Sequence, residues 1–297
     1  MAGKILVTGA TGNVGREVAR ALAARGAPAR AAAFDETDAR RVSPEASEIV
    51  LFDFTDPSTY QAAFDGVDRL FLMRPPAISN VRRDMQPAID FAAAAGVRHV
   101  VFLSLIGVER NRIVPHAKVE KLLMAAGMGW TMLRCGFFMQ NLDTTHRPDI
   151  VEHGDIFIPA GQGRTAFVDV RDIGAVAARI LTEPADHEGR AYALTGSEAL
   201  TYGEAAAIMA EELGRPITYS DPSPPAFARR MRERGYARGY INVMAAIYLT
   251  TRLGMAAAVS PDAADLLGRA PITMQQYVRD YAPAFAAETR HQASGMM

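Results

Sequence analysis

Cysteine is nearly absent. Cys135 stands alone among 297 residues, which excludes an internal disulfide and leaves no Cys/His cluster with zinc-ligand spacing, so no metal is expected. Lysine is almost as scarce, at positions 4, 118 and 121 only. Neither sign of charge is in excess: 32 basic against 33 acidic residues give a net charge of −1. A nucleic-acid binder would normally carry a basic surplus, so no nucleic-acid partner is expected. Long apolar runs are missing as well. The first, Ile5-Leu6-Val7, is too short for a signal-peptide core and leads straight into glycine. The longest late stretch, 241–259, is broken by Arg252 and holds Gly254, whereas a membrane span needs about 20 predominantly apolar residues. These absences lead us to expect a cytoplasmic protein with no membrane partner. The apolar late helices could support a homodimer.

What is present is ordinary globular material, 49% hydrophobic and 22% charged, in a chain long enough for about two domains. The first half alternates apolar runs with alanine-rich helical patterns. Strands are expected at 4–8, 29–33, 48–52, 68–73, 99–103 and 130–134. Helices are expected at 14–25, 80–95 and 115–126, the last with Pro115 in its first turn and Gly127 past its end. Continuous apolar strands spaced by helices indicate βαβ units and a parallel sheet buried on both faces. The second half loses this rhythm. Short strands are expected at 155–159, 166–168, 191–195 and 217–220, with helices at 173–181 and from a capping box at 201–204 to Leu213. The fold expected is a Rossmann-like doubly wound α/β sheet over 1–150. A smaller mixed α/β domain over 151–297 would follow, with some elements returning to the first and the pocket between the two.

Thr8-Gly9-Ala10-Thr11-Gly12-Asn13-Val14-Gly15 separates the first strand from the first helix. Three glycines at this spacing allow a sharp turn, close approach of backbone N–H groups to a pyrophosphate, and tight helix–strand packing. The helix N-terminus adds free N–H groups and partial positive charge. Strand before and helix after are the context that gives the pattern meaning, so Gly9, Thr11, Gly12, Asn13, Val14 and Gly15 are assigned to a dinucleotide. The adenosine end is less decisive. An acid for the ribose hydroxyls belongs about 20 residues after the loop; Phe34 stands there, Asp35 follows, and Arg40 and Arg41 come a turn or two later. The cofactor is therefore NADP or NAD, with no preference readable. Asp53 and Phe54 end the third strand where they would meet the adenine, or serve as strand-end cap and core aromatic.

The chain resembles the NmrA-like branch of the atypical short-chain dehydrogenase/reductases. The likeness rests on the 8–15 loop, Leu72-Met73-Arg74-Pro75-Pro76, Val101-Phe102-Leu103-Ser104-Leu105-Ile106-Gly107, Pro115-His116 through Glu120, and Trp130-Thr131-Met132-Leu133-Arg134-Cys135-Gly136-Phe137-Phe138. It continues through Val168-Asp169-Val170-Arg171-Asp172, Ala193-Leu194-Thr195-Gly196 and Leu213-Gly214-Arg215-Pro216. The resemblance implies an NAD(P)H-dependent oxidoreductase of the quinone or azo reductase kind acting on a small-molecule substrate, or a cofactor-binding regulator that works through a protein partner. The family often has arginine at the place of Phe34 and proline at that of Cys135. Cys135 is read either as a redox-sensitive thiol or as a small buried spacer.

Short-chain reductases usually carry Tyr-x-x-x-Lys. Here Val114 and Ala117 stand four residues before Lys118 and Lys121, and no tyrosine lies between Tyr60 and Tyr192, which argues against tyrosine-based alcohol–ketone chemistry. A conjugated acceptor that stabilises charge itself fits better. His116, opening the helix after the fifth strand, is the candidate proton donor or acceptor. Ser104, at that strand's carboxyl end, is the second catalytic candidate. Met73, Arg74 and Pro75 are expected to line the ribose–nicotinamide channel, and Phe137 the wall over the nicotinamide. Asp172 is expected to cap a helix and, with Asp169 and Arg171, to clamp the domains together. The basic run Arg229 to Arg234 reads as a solvated helix face or an anion site. Tyr236, Tyr240 and Tyr248 read as core or pocket wall.

Overall fold

A computed structural model describes residues 3–27 and 29–286. In chain order it begins β1 (Lys4–Thr8), α1 (Asn13–Ala24), β2 (Arg30–Ala33), α2 (Glu36–Val42), β3 (Glu48–Leu51), α3 (Tyr60–Phe64) and β4 (Val67–Met73). It continues α4 (Val81–Asp84), α5 (Gln86–Ala94), β5 (His99–Leu105), α6 (Pro115–Ala125) and β6 (Gly129–Cys135). Then come α7 (Arg147–His153), β7 (Asp155–Ile156), β8 (Arg164–Thr165), α8 (Val170–Thr182), β9 (Arg190–Leu194), β10 (Leu200–Thr201) and α9 (Tyr202–Leu213). The last are β11 (Thr218–Tyr219), α10 (Pro224–Glu233), α11 (Arg238–Arg252), α12 (Asp262–Leu267) and α13 (Met274–Asp280).

Two compact units emerge. Among the described residues, the first runs to Phe138 and regains Ala166–Glu198 and Val259–Ile272; the second holds Met139–Thr165, Ala199–Ala258 and 273–286. The chain first crosses at Phe138–Met139, ahead of the boundary expected at 150.

The first unit carries the expected doubly wound sheet, seven strands in the order β3-β2-β1-β4-β5-β6-β9, all parallel. Alternation of side chains explains its apolar strands. Ile5, Val7, Phe71, Val101 and Leu133 enter one core cluster with α1 and α8, whereas Leu6, Leu70, Leu72, Val100, Phe102 and Met132 enter another with α3, α5 and α6. Each fully buried Leu, Val or Ile side chain contributes about 1.5–3 kcal/mol. Val14, Val18 and Leu22, four apart on α1, form its buried stripe. Gly174 lets α8 approach closely, since a Cβ there would lie 2.7 Å from the Glu17 backbone.

Three expectations are corrected. The single helix at 80–95 is two, broken at Met85, because Pro87 has no N–H to give to the carbonyl one turn back. The strand at 166–168 is displaced to β8, which pairs antiparallel with β10, while Val168 makes an isolated bridge to Phe138. Asp172 does not cap α8. Asp169 does, accepting from the Arg171 N–H at 2.9 Å and pairing with the Arg171 guanidinium at 2.7 Å. Asp172 instead accepts from Arg269 and from the Ile272 N–H, both at 2.7 Å, a clamp inside the first unit.

In the second unit, α9 opens with the expected capping box of Thr201 and Glu204. The basic run is not uniformly solvated. Arg230 and Arg234 converge on the buried Asp149 at 2.7 Å, and Arg230 also lies over the Phe157 ring. Arg229 pairs with Glu233 on the surface. Tyr248 is buried against His146, while Tyr236 stacks on the exposed Tyr240.

Candidate functional site

The turn from β1 to α1 is built by backbone necessity. Gly9 has φ +65°, the left-handed region, and a side chain there would strike the Met73 methyl. A Cβ on Gly15 would lie 2.2 Å from the Gly9 carbonyl oxygen. Gly12 is different. It is part-exposed in ordinary extended backbone, its N–H bonds Gly9 O at 2.9 Å, and its nearest internal neighbour to a Cβ is 3.3 Å away. The protein's own packing forces glycine at 9 and 15, whereas at 12 the missing side chain leaves open the approach to the α1 N-terminus. No acidic residue occupies the first turn of α1, and Gly12 offers it no side-chain cap. The first N–H groups of such a helix have no partner within it. This cradle fits a pyrophosphate. Thr11 is exposed and Asn13 half-exposed beside it, whereas the Val14 side chain is core, so only its backbone can take part.

Two residues that sequence reasoning passed over hold this turn. Thr8 donates its hydroxyl to Phe71 O at 3.0 Å and accepts the Met73 N–H at 2.8 Å, locking β1 to β4 beside the loop. Ser43, fully buried, donates to the Ala10 carbonyl at 2.7 Å. Thr8 adjoins the glycine motif and could have been suspected. Ser43 carries no local signal.

At the adenosine end Phe34 is 68% exposed just after β2. Asp35 caps α2 through the Asp38 N–H at 2.8 Å. Arg40 pairs with Glu36 and Arg41 with Asp38. Asp53 accepts from the N–H and hydroxyl of Thr55, and Phe54 is buried edge-on against Phe52. Phe54 is thus packed as a core aromatic, while Asp53 holds the turn after β3 through Thr55.

At the carboxyl ends of β4 to β6, registry brings Met73 opposite Leu103 and Ser104 opposite Arg134. The buried Ser104 donates its hydroxyl to Glu120 Oε1 at 2.6 Å, while Arg134 grips both oxygens of Glu120 at 3.1 and 2.8 Å. Glu120 is buried on α6, one turn beyond His116. This three-residue network pins α6 to the sheet, and the Ser104 hydroxyl is committed to it. The His116 ring lies 6.0 Å from that of Phe102. Burial, and then the positive charge of Arg74, push its pKa down to about 3. At neutral pH it is an uncharged imidazole that can donate or accept a hydrogen bond but holds no spare proton.

Arg74 folds back over its own loop, donating from Nη1 to Pro75 O and Ile78 O at 2.8 and 2.5 Å. Phe137, half-buried, packs edge-on against Phe167 at 5.8 Å. Cys135 is buried, and burial raises its thiol far above the ordinary value. It is a small core residue, not a reactive thiol. A cleft of about 330 Å³ lined by Arg25, Arg179, Glu183 and Arg269 lies at the C-terminal ends of α1 and α8, away from the glycine loop. Among the described residues, no His/Cys/Asp/Glu group is placed to hold a metal, and no helix is long and apolar enough to cross a membrane.

The chain is similar to known proteins. The chain is 33% identical over 288 residues to an NAD(P)H azoreductase of Xenophilus azovorans, covering 95% of this chain and 99% of that one. It is 35% identical to a (4-alkanoyl-5-oxo-2,5-dihydrofuran-3-yl)methyl phosphate reductase of Streptomyces griseus, covering 96% and 100%. The Escherichia coli NADPH-dependent quinone oxidoreductase, solved with NADPH, superposes with a TM-score of 0.81 at 27% identity, covering 93% and 99%. The model of the NmrA-like family matches residues 1–277. The chain belongs to the NmrA-like family.

Proposed function

We propose that this protein is an NAD(P)H-dependent oxidoreductase that reduces a small conjugated acceptor such as a quinone. The single observation that carries the cofactor part is the cradle at Gly12 before an uncapped helix, where a Cβ would press on the Gly9 carbonyl oxygen at 3.3 Å, far less severely than at Gly9 or Gly15. The azoreductase and quinone oxidoreductase relatives support the reaction class. Gly9, Thr11, Gly12, Asn13, Val14 and Gly15 would hold the pyrophosphate, largely through backbone N–H groups. Phe34 and Asp53 would flank the adenosine. Met73, Arg74, Pro75 and Phe137 would border the nicotinamide. When bound, the reduced dinucleotide supplies the hydride.

This chain's own residues supply position. The Glu120 network fixes α6 and so holds His116 at the strand ends. Ser104, spent on Glu120, acts through that network. His116, neutral at working pH, would offer a hydrogen bond to the acceptor rather than a proton, and solvent would complete the reduction. The reading is tested by mixing purified protein with NADH or NADPH and a panel of quinones, azo dyes and enones. Acceptor-dependent loss of the reduced nicotinamide absorbance above blank is expected. Cofactor binding without any such turnover would instead favour a redox sensor acting through a partner.

A further inference from the structure

Two arginines in the first unit do similar mechanical work with different electrical outcomes. Arg30 donates from Nη1 to the carbonyls of Ala62, Ala63 and Asp65 at 2.9–3.0 Å, and its Nε lies 2.9 Å from Glu48, so its charge is balanced. Arg74 likewise donates from Nη1 to loop carbonyls, those of Pro75, Pro76 and Ile78. Its Nε, like that of Arg30, is sealed from solvent without a well-formed hydrogen bond, but among the described residues no carboxylate lies beside it as Glu48 does beside Arg30. A half-buried guanidinium without a counter-charge is costly, and burial lowers its proton affinity. The loop-capping role alone would be served as well by the balanced arrangement of Arg30.

The position of this unbalanced charge is informative. Arg74 directly follows β4, on the β4–β5–β6 side of the switch point, away from the β2–β3 side where the adenosine end belongs. Its charge is felt at His116, whose neutral ring opens α6. We propose that Arg74 is the receptor for negative charge on the acceptor's oxygen, with His116 as an uncharged hydrogen-bonding neighbour, so that the preferred acceptors are those whose reduction places charge on a carbonyl-derived oxygen. This rests on the oxidoreductase reading above. The hydride and its electron pair come from the reduced dinucleotide, which is oxidised. The acceptor's carbonyl π pair moves onto its oxygen, and water supplies the proton. Arg74 lowers the energy of the charged oxygen and takes the place of the absent tyrosine–lysine pair.

The test is a binding measurement independent of turnover. 4-Nitrophenolate, an aromatic oxyanion, and nitrobenzene, the uncharged ring without that oxygen, are titrated calorimetrically into the full-length protein, alongside NADPH and NADH. The wild type is expected to bind the phenolate at least about tenfold more tightly than nitrobenzene. Arg74→Met should erase that preference while leaving nitrobenzene affinity within a factor of about two, and Arg74→Lys should restore part of it. Equal wild-type affinities for the two probes would overturn the proposal even if no variant folds. So would a loss confined to NADPH and NADH in Arg74→Met, which would make Arg74 a ligand of the cofactor phosphates. An unchanged phenolate preference in a folded Arg74→Met would leave it a loop cap only. Acceptor turnover by the wild type is scored separately, so failure of the oxidoreductase reading is told apart from failure of this one.

Discussion

The glycine turn and the strand-end cluster lie on the same sheet and are made in opposite ways. The turn is backbone: its requirements are a positive φ at Gly9, an absent Cβ at Gly15 and an open approach at Gly12. The cluster is side chain: Ser104, Glu120 and Arg134 come from a strand, a helix and the next strand, and meet only after folding. A site made of backbone should fail through shape, and a site made of side chains through unbalanced charge.

Substitutions at the turn should have the largest effects and should separate shape from binding. Gly15→Val places atoms on the Gly9 carbonyl, so both fold and dinucleotide binding should be lost, read by thermal unfolding and titration. Gly12→Asp should behave otherwise. Aspartate is a good residue at a helix N-cap, so the unfolding temperature should hold. Dinucleotide affinity should fall by about hundredfold or more, because a carboxylate would face the pyrophosphate. If Gly12→Asp binds normally, the turn does not hold phosphate.

Next in size is the cluster. Glu120→Ala leaves the Arg134 charge and the Ser104 hydroxyl without their shared acceptor, which should cost about 3 kcal/mol in denaturant unfolding. Glu120→Gln should recover part of this. If α6 is positioned by the network, kcat should fall in Glu120→Gln while dinucleotide affinity stays put; a fall in both would erase the distinction between the two regions.

A smaller effect is expected from pH. Burial holds three histidines neutral in the fold: His99 is pushed down to about 4, helped by His187 and Arg69; His116 to about 3, helped by Arg74; His146 to about 3, helped by Arg234. The unfolded chain takes up these protons near the ordinary value, about 6.5. Their contribution is therefore intact above that pH and lost as pH falls towards 4, by at most about 1.4 kcal/mol per pH unit for each group. Urea midpoints between neutrality and pH 4.5 should show the decline, and His116→Gln should make it shallower. A slope untouched by that change would mean His116 titrates freely.

The smallest effect should come at the adenosine end. Phe34→Arg adds an unpaired cation where Arg40 and Arg41 are already matched to acids. The ratio of NADPH to NADH affinity should rise by about tenfold; no change would place the 2′-position elsewhere.

The same contrast explains what could be read in advance. The alternating burial of Leu70, Phe71 and Leu72 writes a two-sided strand as a continuous apolar run, so the parallel sheet was legible. Three glycines at fixed spacing made the turn legible too. Side-chain partnerships were not. Nothing near Asp149 announces Arg230 and Arg234 in a run that reads as solvated. Nothing local separates Asp169, which caps α8, from Asp172, which does not. Phe54 follows a strand just as an adenine contact would, and only its packing against Phe52 and Tyr60 shows it is core. Such choices depend on partners far away in the chain, and periodicity carries no record of them.

The way the first unit is threaded also bears on its synthesis. Its sheet acquires β9, and α1 acquires its neighbour α8, only after a long excursion of the chain. At about 5–20 residues per second, a nascent chain that has emerged only as far as the expected boundary at 150 has a glycine turn and the strands beneath α1, but lacks the α8 side of the core that holds Val14, Val18 and Leu22. A fragment ending there should be sticky and short-lived, and dinucleotide binding should arise late on the ribosome, after α8 has come out.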